Sequence, residues 1–266
     1  MKFSVLMSLY IKEQAAYLIE CFESLAAQTI LADEIVIVFD GKITPELEQV
    51  IQNFAQKLPL VIVRLAENQG LGKALNIGLT HCKNDWVFRM DTDDICVPDR
   101  FEKQVRFIEQ HPDLVIVGGQ IAEFDKDVQD IVSYRRVPTS YQEIVKFTQK
   151  RCPFNHMTVA YRKHEVLACG GYQDLQEDYY LWIKLIALGK VASNLADILV
   201  YARVGNGMVG RRHGLSQAKA EWRLFKLKRQ LGLQDPFSGL VVFLMRALPR
   251  LLPVSLLSQV YKLTRR

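Results

Sequence analysis

Blocks of apolar and polar positions alternate along the first hundred residues. Runs of apolar residues at 3–9, 34–39, 60–65 and 85–90 predict strands buried on both faces. Between them, at about 13–27, 44–57 and 70–82, apolar positions recur at helical spacing, and Pro45 stands where a helix start favours it. Strands alternating with helices of this length predict a parallel sheet covered on both faces, with right-handed crossovers. Ligands of such sheets lie beyond the carboxyl ends of the strands. In this chain those ends carry Ser8 and Tyr10, Asp40, Arg64 with Glu67 and Asn68, and Asp91. Four successive strands delivering polar groups to one edge is more than packing asks for.

After about residue 112 the rhythm shortens. Strands are expected at 115–119, 120–124, 131–137 and 157–161, and helices near 140–150 and 177–189, the latter with Leu181, Trp182, Leu185 and Ile186 on one face. A glycine-rich stretch at 205–210 leads into a tail. There, 216–231 has the pattern of a basic amphipathic helix containing Trp222, Leu224, Phe225 and Leu227. Residues 240–248 are apolar but interrupted by Arg246 and followed by Pro249, Arg250 and Pro253. That stretch falls well short of the ~20 residues that span a bilayer. It suits either a segment lying in a membrane interface or a helical cap on the body.

Charge sharpens the division. The 56 residues from Arg211 onward hold 12 Lys and Arg against Glu221 and Asp235, a net of +10. The preceding 210 residues, with 22 basic and 27 acidic side chains, net −5. Basicity therefore belongs to the tail, as an anionic partner surface would require. The five cysteines are scattered without C-x-x-C spacing, which signals neither a zinc site nor a disulfide frame and suits a reducing compartment. The opening apolar run is too short for a secretory leader and is expected to be a strand.

The most informative chemistry lies at Arg89-Met90-Asp91-Thr92-Asp93-Asp94, after the apolar Trp86-Val87-Phe88. Three carboxylates in four positions repel one another unless a cation sits among them, and Mg²⁺ is usually held by one or two carboxylates plus substrate phosphates. An acidic turn capping the helix that starts near Pro98 is the plainer alternative. A second acidic signal stands far downstream, where Gly170-Gly171-Tyr172 is followed by Gln176-Glu177-Asp178. A metal-phosphate site with a separate carboxylate base is the inventory of a transferase acting on a nucleotide-activated substrate.

Seven motifs in order resemble glycosyltransferase family 2 over residues 2–205, nearest the branch of amylovoran-type exopolysaccharide enzymes. They are Ser4-Val5-Leu6-Met7-Ser8-Leu9-Tyr10, Val38-Phe39-Asp40-Gly41, Asn68-Gln69-Gly70-Leu71-Gly72-Lys73-Ala74-Leu75-Asn76, Met90 to Asp94, Asn155-His156, Gly170-Gly171-Tyr172, and Gln176 to Trp182. The resemblance implies an α/β GT-A fold with a mostly parallel central sheet. It also implies a nucleotide-diphospho-sugar donor, usually a UDP-sugar, a Mg²⁺ or Mn²⁺ ion, and inversion at the anomeric carbon. By position, Asp40 would meet the nucleotide base, with Ser8 and Tyr10 against the nucleoside. Arg64, Gly70 and Lys73 would line the base or phosphates. Asp93 would ligate the metal, and Asp91 would hold the ribose or a metal-bound water. Asp94 would orient the loop. Asp178 matches the catalytic base, and Gly171 with Tyr172 would wall the donor sugar. His156, Glu177 and Trp182 would face the acceptor. Arg211 and Arg212 would close on the diphosphate, with His213 completing the metal shell.

Taken with the charge break at Arg211, the resemblance divides the chain into a catalytic domain at 1–210 and a basic helical tail at 211–266. It makes the expected function a single sugar transfer to a lipid-linked saccharide, at the inner face of the cell membrane, in cell-surface polysaccharide or lipopolysaccharide synthesis. The Gln-x-x-Arg-Trp motif of processive polymerases is missing; Gln217-Ala218-Lys219-Ala220-Glu221-Trp222 does not supply it. Three rival readings remain at this point. An Asp-x-Asp phosphatase would leave Asp40 and Asp178 unused, and a sugar-1-phosphate nucleotidyltransferase would want a glycine-rich basic loop after the first strand. A non-catalytic membrane-binding scaffold would use the tail alone. Nucleic acid is not an expected partner.

Overall fold

The computed structural model describes residues 1–173, 176–205 and 214–251. Strand β1 (Phe3–Leu9) pairs in parallel with β2 (Glu34–Phe39), which pairs in parallel with β3 (Leu60–Arg64). On its other side β1 pairs in parallel with β4 (Trp86–Arg89). The crossovers are α1 (Ala15–Ala26), α2 (Pro45–Phe54) and α3 (Leu71–His81). Helix α2 starts as its sequence directs: the Thr44 hydroxyl accepts from the Leu47 N–H, Pro45 fills the first turn, and Glu46 and Glu48 face the dipole. Period-two burial separates two cores. Phe3, Val5, Met7 and Leu9 pack with α1, α2 and α4 (Arg100–Gln110), while Leu6, Val36 and Val38 pack with α3.

The second half of the sheet is mixed. After β5 (Ile95–Cys96) and α4 come β6 (Ile116–Phe124) and β7 (Ile131–Arg135). Next are α5 (Tyr141–Thr148), a 3-10 turn at His156–Thr158, β8 (Ala160–Arg162), α6 (Lys163–Ala168), α7 (Glu177–Ala187) and β9 (Ala192–Arg203). The sheet order is β3-β2-β1-β4-β8-β6-β9-β5, with β7 on β6. Strand β8 is antiparallel to β4 and β6, whereas β6 and β9 are parallel.

Two differences from the sequence expectation have clear causes. The two short strands at 115–119 and 120–124 are one buried strand. Its Gly118-Gly119 pair makes room rather than a turn: a Cβ at Gly118 would lie 2.3 Å from Asn194 Oδ1, and one at Gly119 2.4 Å from Leu199 Cδ1. The 12-residue β9 was not anticipated, because Asn194 and Asp197 break its apolar run. Asn194 is nonetheless buried, its Nδ2 donating to the carbonyls of Pro138 and Pro153.

The described part of the tail forms α8 (Leu215–Gln230) and α9 (Pro236–Arg250), which pack on each other. Leu224 and Leu227 of α8 share a small core with Tyr179 and Ile183 of α7. Among the described residues, no helix is long and apolar enough to cross a membrane.

Candidate active site

The parallel order β3-β2-β1-β4 brings Arg64, Asp40, Ser8 with Tyr10, and Asp91 to one edge. Asp40, just beyond β2, closes the following loop. Its Oδ1 accepts the Gln69 N–H at 2.7 Å and its Oδ2 the Gly70 N–H at 3.0 Å. Gly70 caps α3 at φ +89, a conformation that suits glycine. Tyr10 and Lys73 are exposed. The exposed Arg64 guanidinium stacks 4.6 Å from the Phe39 ring and pairs with Glu48 at 2.6 Å.

At the end of β4, Arg89 is fully buried and donates to the carbonyls of Met90 and Leu6 and to the carboxylate of Asp91. Burial opposes its charge, but Asp91, then the Tyr172 and Tyr161 hydroxyls, raise its pKa above the ordinary arginine value. Burial alternates along the loop that follows: Thr92 and Asp94 are buried, Asp91 and Asp93 half-buried. The Thr92 hydroxyl, at 2.5 Å, donates to Glu13. Asp94 Oδ1 accepts the Arg203 N–H at 2.8 Å, and Arg203 Nε donates to the Asp93 carbonyl at 3.1 Å. The Arg203 guanidinium lies between the rings of Tyr17, at 3.9 Å, and Phe124, at 4.5 Å, and pairs with Glu20. Asp94 thereby ties the loop to the end of β9, and Asp91 is tied to Arg89.

The oxygen donors suit a hard divalent cation. Buried Asp94 Oδ2 lacks a hydrogen-bond partner, and its carboxyl is raised by burial, then by the charges of Asp93 and Asp91. Among the described residues no group of three His, Cys, Asp or Glu converges as a cage.

The downstream acidic signal arrives at the same place. Asp178 in the first turn of α7, together with Asp91, acts electrostatically on His156 and Tyr172; burial raises Glu177, with the two carboxylates adding to the rise and a backbone hydrogen bond and Arg89 opposing it. Burial and then the Arg89 charge push His156 down to about 4, which leaves its imidazole neutral near pH 7. Cys152 Sγ lies 3.6 Å from Asp178 Oδ2; burial, then the Asp178 charge, pushes its thiol up. The glycine motif serves close packing. A Cβ on Gly171 would meet Asn76 Oδ1 at 2.3 Å, and one on Gly72 would meet the Gln173 carbonyl at 2.9 Å.

Two expectations need correction. Tyr172 is 2% exposed, its hydroxyl donating to Tyr161 at 3.1 Å, so its ring belongs to the core rather than to a sugar wall. Trp182 is fully buried, edge-on to Phe154, and is out of an acceptor's reach. Arg211, Arg212 and His213 lie outside the described residues. Arg89, Arg203 and Cys152 went unassigned in the sequence. Of these only Arg89 left a signal, a charge directly abutting an apolar strand.

This topology, with its acidic edge, defines the GT-A class of nucleotide-sugar transferase folds. TarS of S. aureus, solved in complex with UDP-GlcNAc, aligns with TM-score 0.71 over 94% of this chain and 72% of that one, at 20% identity. The mannosyltransferase PcManGT of Pyrobaculum calidifontis, solved with GDP-Man and Mn2+, aligns with TM-score 0.64 over 99% of this chain and 80% of that one, at 18% identity. The profile described as Glycosyl transferase family 2 matches residues 4–171, and the chain belongs to that family. An uncharacterized glycosyltransferase of Haemophilus influenzae is 71% identical over 98% of both chains. The amylovoran biosynthesis glycosyltransferase AmsE of Erwinia amylovora is 44% identical over 99% of both. The UDP-Gal:alpha-D-GlcNAc-diphosphoundecaprenol beta-1,3-galactosyltransferase of Escherichia coli is 37% identical over 98% of this chain and 95% of that one. Family membership removes the phosphatase and nucleotidyltransferase alternatives.

Proposed function

We propose that the protein moves one hexose from a UDP-sugar to a hydroxyl of a lipid-linked saccharide, with inversion, in cell-surface polysaccharide synthesis. The observation that carries this reading is that Asp91 and Asp178, far apart in the sequence, both act electrostatically on His156 and Tyr172. A donor diphosphate at the strand edge and an acceptor at α7 would then share one centre. The relatives named for amylovoran synthesis and for a diphosphoundecaprenol acceptor supply the substrate class.

Asp178 takes the proton of the acceptor hydroxyl as its oxygen bonds to the anomeric carbon. The bond from that carbon to the diphosphate breaks, and the nucleoside diphosphate leaves with the electron pair. Attack opposite the leaving group inverts the configuration. An oxocarbenium-like transition state needs only late deprotonation, which suits a carboxylate. Asp93 and Asp91 would hold Mg²⁺ or Mn²⁺, which supplies charge neutralisation for the departing diphosphate. Neutral His156 can hydrogen-bond sugar or acceptor without repelling a cation. Ser8, Tyr10, Arg64 and Lys73 face the nucleotide side, and Asp40 shapes that side by fixing the 68–70 loop.

The tail is assigned to the membrane surface. Helix α9 exposes Phe237, Leu240, Val241, Leu244, Met245 and Leu248, a stripe at helical spacing with Phe237 79% exposed. Helix α8 adds exposed Lys219, Arg223, Lys226 and Arg229 beside Trp222. Apolar anchors flanked by cations suit an anionic lipid interface, where a lipid-linked acceptor resides. The deciding experiment is donor hydrolysis by full-length protein against a panel of UDP-, GDP- and dTDP-sugars with Mn²⁺, followed by transfer from UDP-galactose to GlcNAc-diphosphoundecaprenol. Turnover confined to a GDP- or dTDP-sugar would overturn the donor assignment.

A further inference from the structure

The C-terminal helix pair reaches the candidate base from two sides. On one side stands Glu221 of α8, only 3% exposed. Its carboxylate accepts Arg246 Nε and Nη2, each at 2.8 Å, and a donor from Arg250, both arginines coming from α9. It also accepts Gln176 Nε2 at 3.0 Å. Gln176 immediately precedes α7 in a left-handed conformation, φ +50, which a non-glycine residue holds only when its surroundings insist. The next two residues are Glu177 and Asp178.

On the other side the helix pair grips the segment after α5. Lys228 Nζ and Gln234 Nε2 both donate to the Gln149 carbonyl, at 2.8 and 3.1 Å, and Arg246 Nη1 donates to the Lys150 carbonyl at 3.3 Å. Two residues further on is Cys152, whose thiol faces Asp178. Asp178 thus sits between two backbone segments, each tied to α8 and α9 by buried or half-buried donors.

We infer that the helix pair 215–250 is a positioning element of the active centre, in which Glu221, through Gln176, fixes the first turn of α7 and with it the carboxylate of Asp178. This rests on Asp178 being the base. Arg246 serves both straps, so loosening α9 would release Asp178 from both. The apolar stripe occupies the remaining exposed face of that same helix, so the surface assigned to lipid and the anchorage of the base are two faces of one element.

The test uses full-length protein carrying Gln176→Glu, which sets two carboxylates against each other, or the milder Gln176→Ala. Hydrogen exchange at amides 180–183, UDP affinity with Mn²⁺ by calorimetry, and transfer kinetics with the donor identified by the nucleotide-sugar panel are measured together. We expect faster exchange confined to the start of α7, and a kcat for transfer lower by roughly 10–100-fold in Gln176→Glu, the scale of an ångström-sized misplacement. UDP affinity should stay within about twofold, because the nucleotide edge lies on other strands. Normal exchange and normal kcat in Gln176→Glu would overturn the inference, as would parallel losses in kcat, UDP affinity and global melting. Should Gln176→Glu fail to fold, Gln176→Ala decides on the same readouts. If Asp178→Asn keeps full transfer while α7 loosens in the Gln176 variants, the base assignment fails and the anchorage stands. If Asp178→Asn is inactive and the Gln176 variants are normal, the anchorage fails.

Discussion

The Asn76 carboxamide holds both sides of Tyr172: its Nδ2 donates to the Tyr172 carbonyl and its Oδ1 accepts the Tyr172 N–H, each at 2.8 Å. This pair fastens α3, which begins at the nucleotide edge, to the segment leading toward the candidate base. Asn76→Asp removes the donor and leaves the carbonyl unpaired beside a carboxylate. The variant should lose about 1–3 kcal/mol in urea unfolding, the cost of an unsatisfied buried polar group. A loss below about 0.5 kcal/mol would mean that water replaces the bond.

Asp178→Asn should retain donor affinity and lower transfer by ~10²–10⁴, the usual contribution of a general base. Steady-state kinetics and UDP calorimetry on the same preparation separate the two. Near-wild-type transfer would return Asp178 to the role of a helix-start acid favoured by the macrodipole.

Asp93→Ala should abolish the metal-dependent part of UDP binding while relieving its repulsion with Asp94. Calorimetry with UDP, with and without Mn²⁺, is the measurement. Metal-dependent affinity that survives would place the ion elsewhere.

His156 gives a pH dependence of defined sign. Its pKa falls from 6.5 when unfolded to about 4 in the fold. Between those values the unfolded chain binds the extra proton, so stability drops as pH falls through this window and levels off below it. The contribution is on the order of 3 kcal/mol. Unfolding followed from pH 7 to 4 should show a shallower loss for His156→Gln than for wild type. Equal slopes would mean that the imidazole is better solvated than its contacts imply.

Full-length protein should float with liposomes containing anionic lipid, and Met245→Asp with Leu248→Asp should sink without a change in melting. Both side chains are more than half exposed, at 63% and 57%, so the substitutions leave the interior intact. Four cations at about 1 kcal/mol each give reversible attachment that salt weakens but does not erase, because the apolar part is unscreened. Failure of the wild type to float would end the membrane assignment.

The half of the molecule that builds the nucleotide edge was legible because its elements are locally consistent. Strand β2 is buried at every position, and α2 carries its own cap, proline and acidic first turn. The other half depends on partners distant in the chain. Gly118-Gly119 suggests a turn until Leu199 and Asn194 are seen against it, and Asn194 suggests a loop until its carbonyl partners are found. Among site residues, clustered carboxylates announce themselves in a sequence by their mutual repulsion. Arg203 does not, since an arginine in a sequence is by default a solvated one. Trp182 erred the other way: its place in a motif suggested contact with an acceptor, while its apolar neighbours on one helix face already pointed inward.

For a population accumulating point changes, Arg203 is a position with no neutral neighbour. Lysine keeps the charge, but it has no planar group to lie between Tyr17 and Phe124 and no fork to reach Glu20 and the Asp93 carbonyl together. A lineage that drifted to lysine there would retain all three aspartates of the loop, and any reader of its genome would score the motif as intact. The catalytic apparatus would have slackened at a strand end that no motif marks.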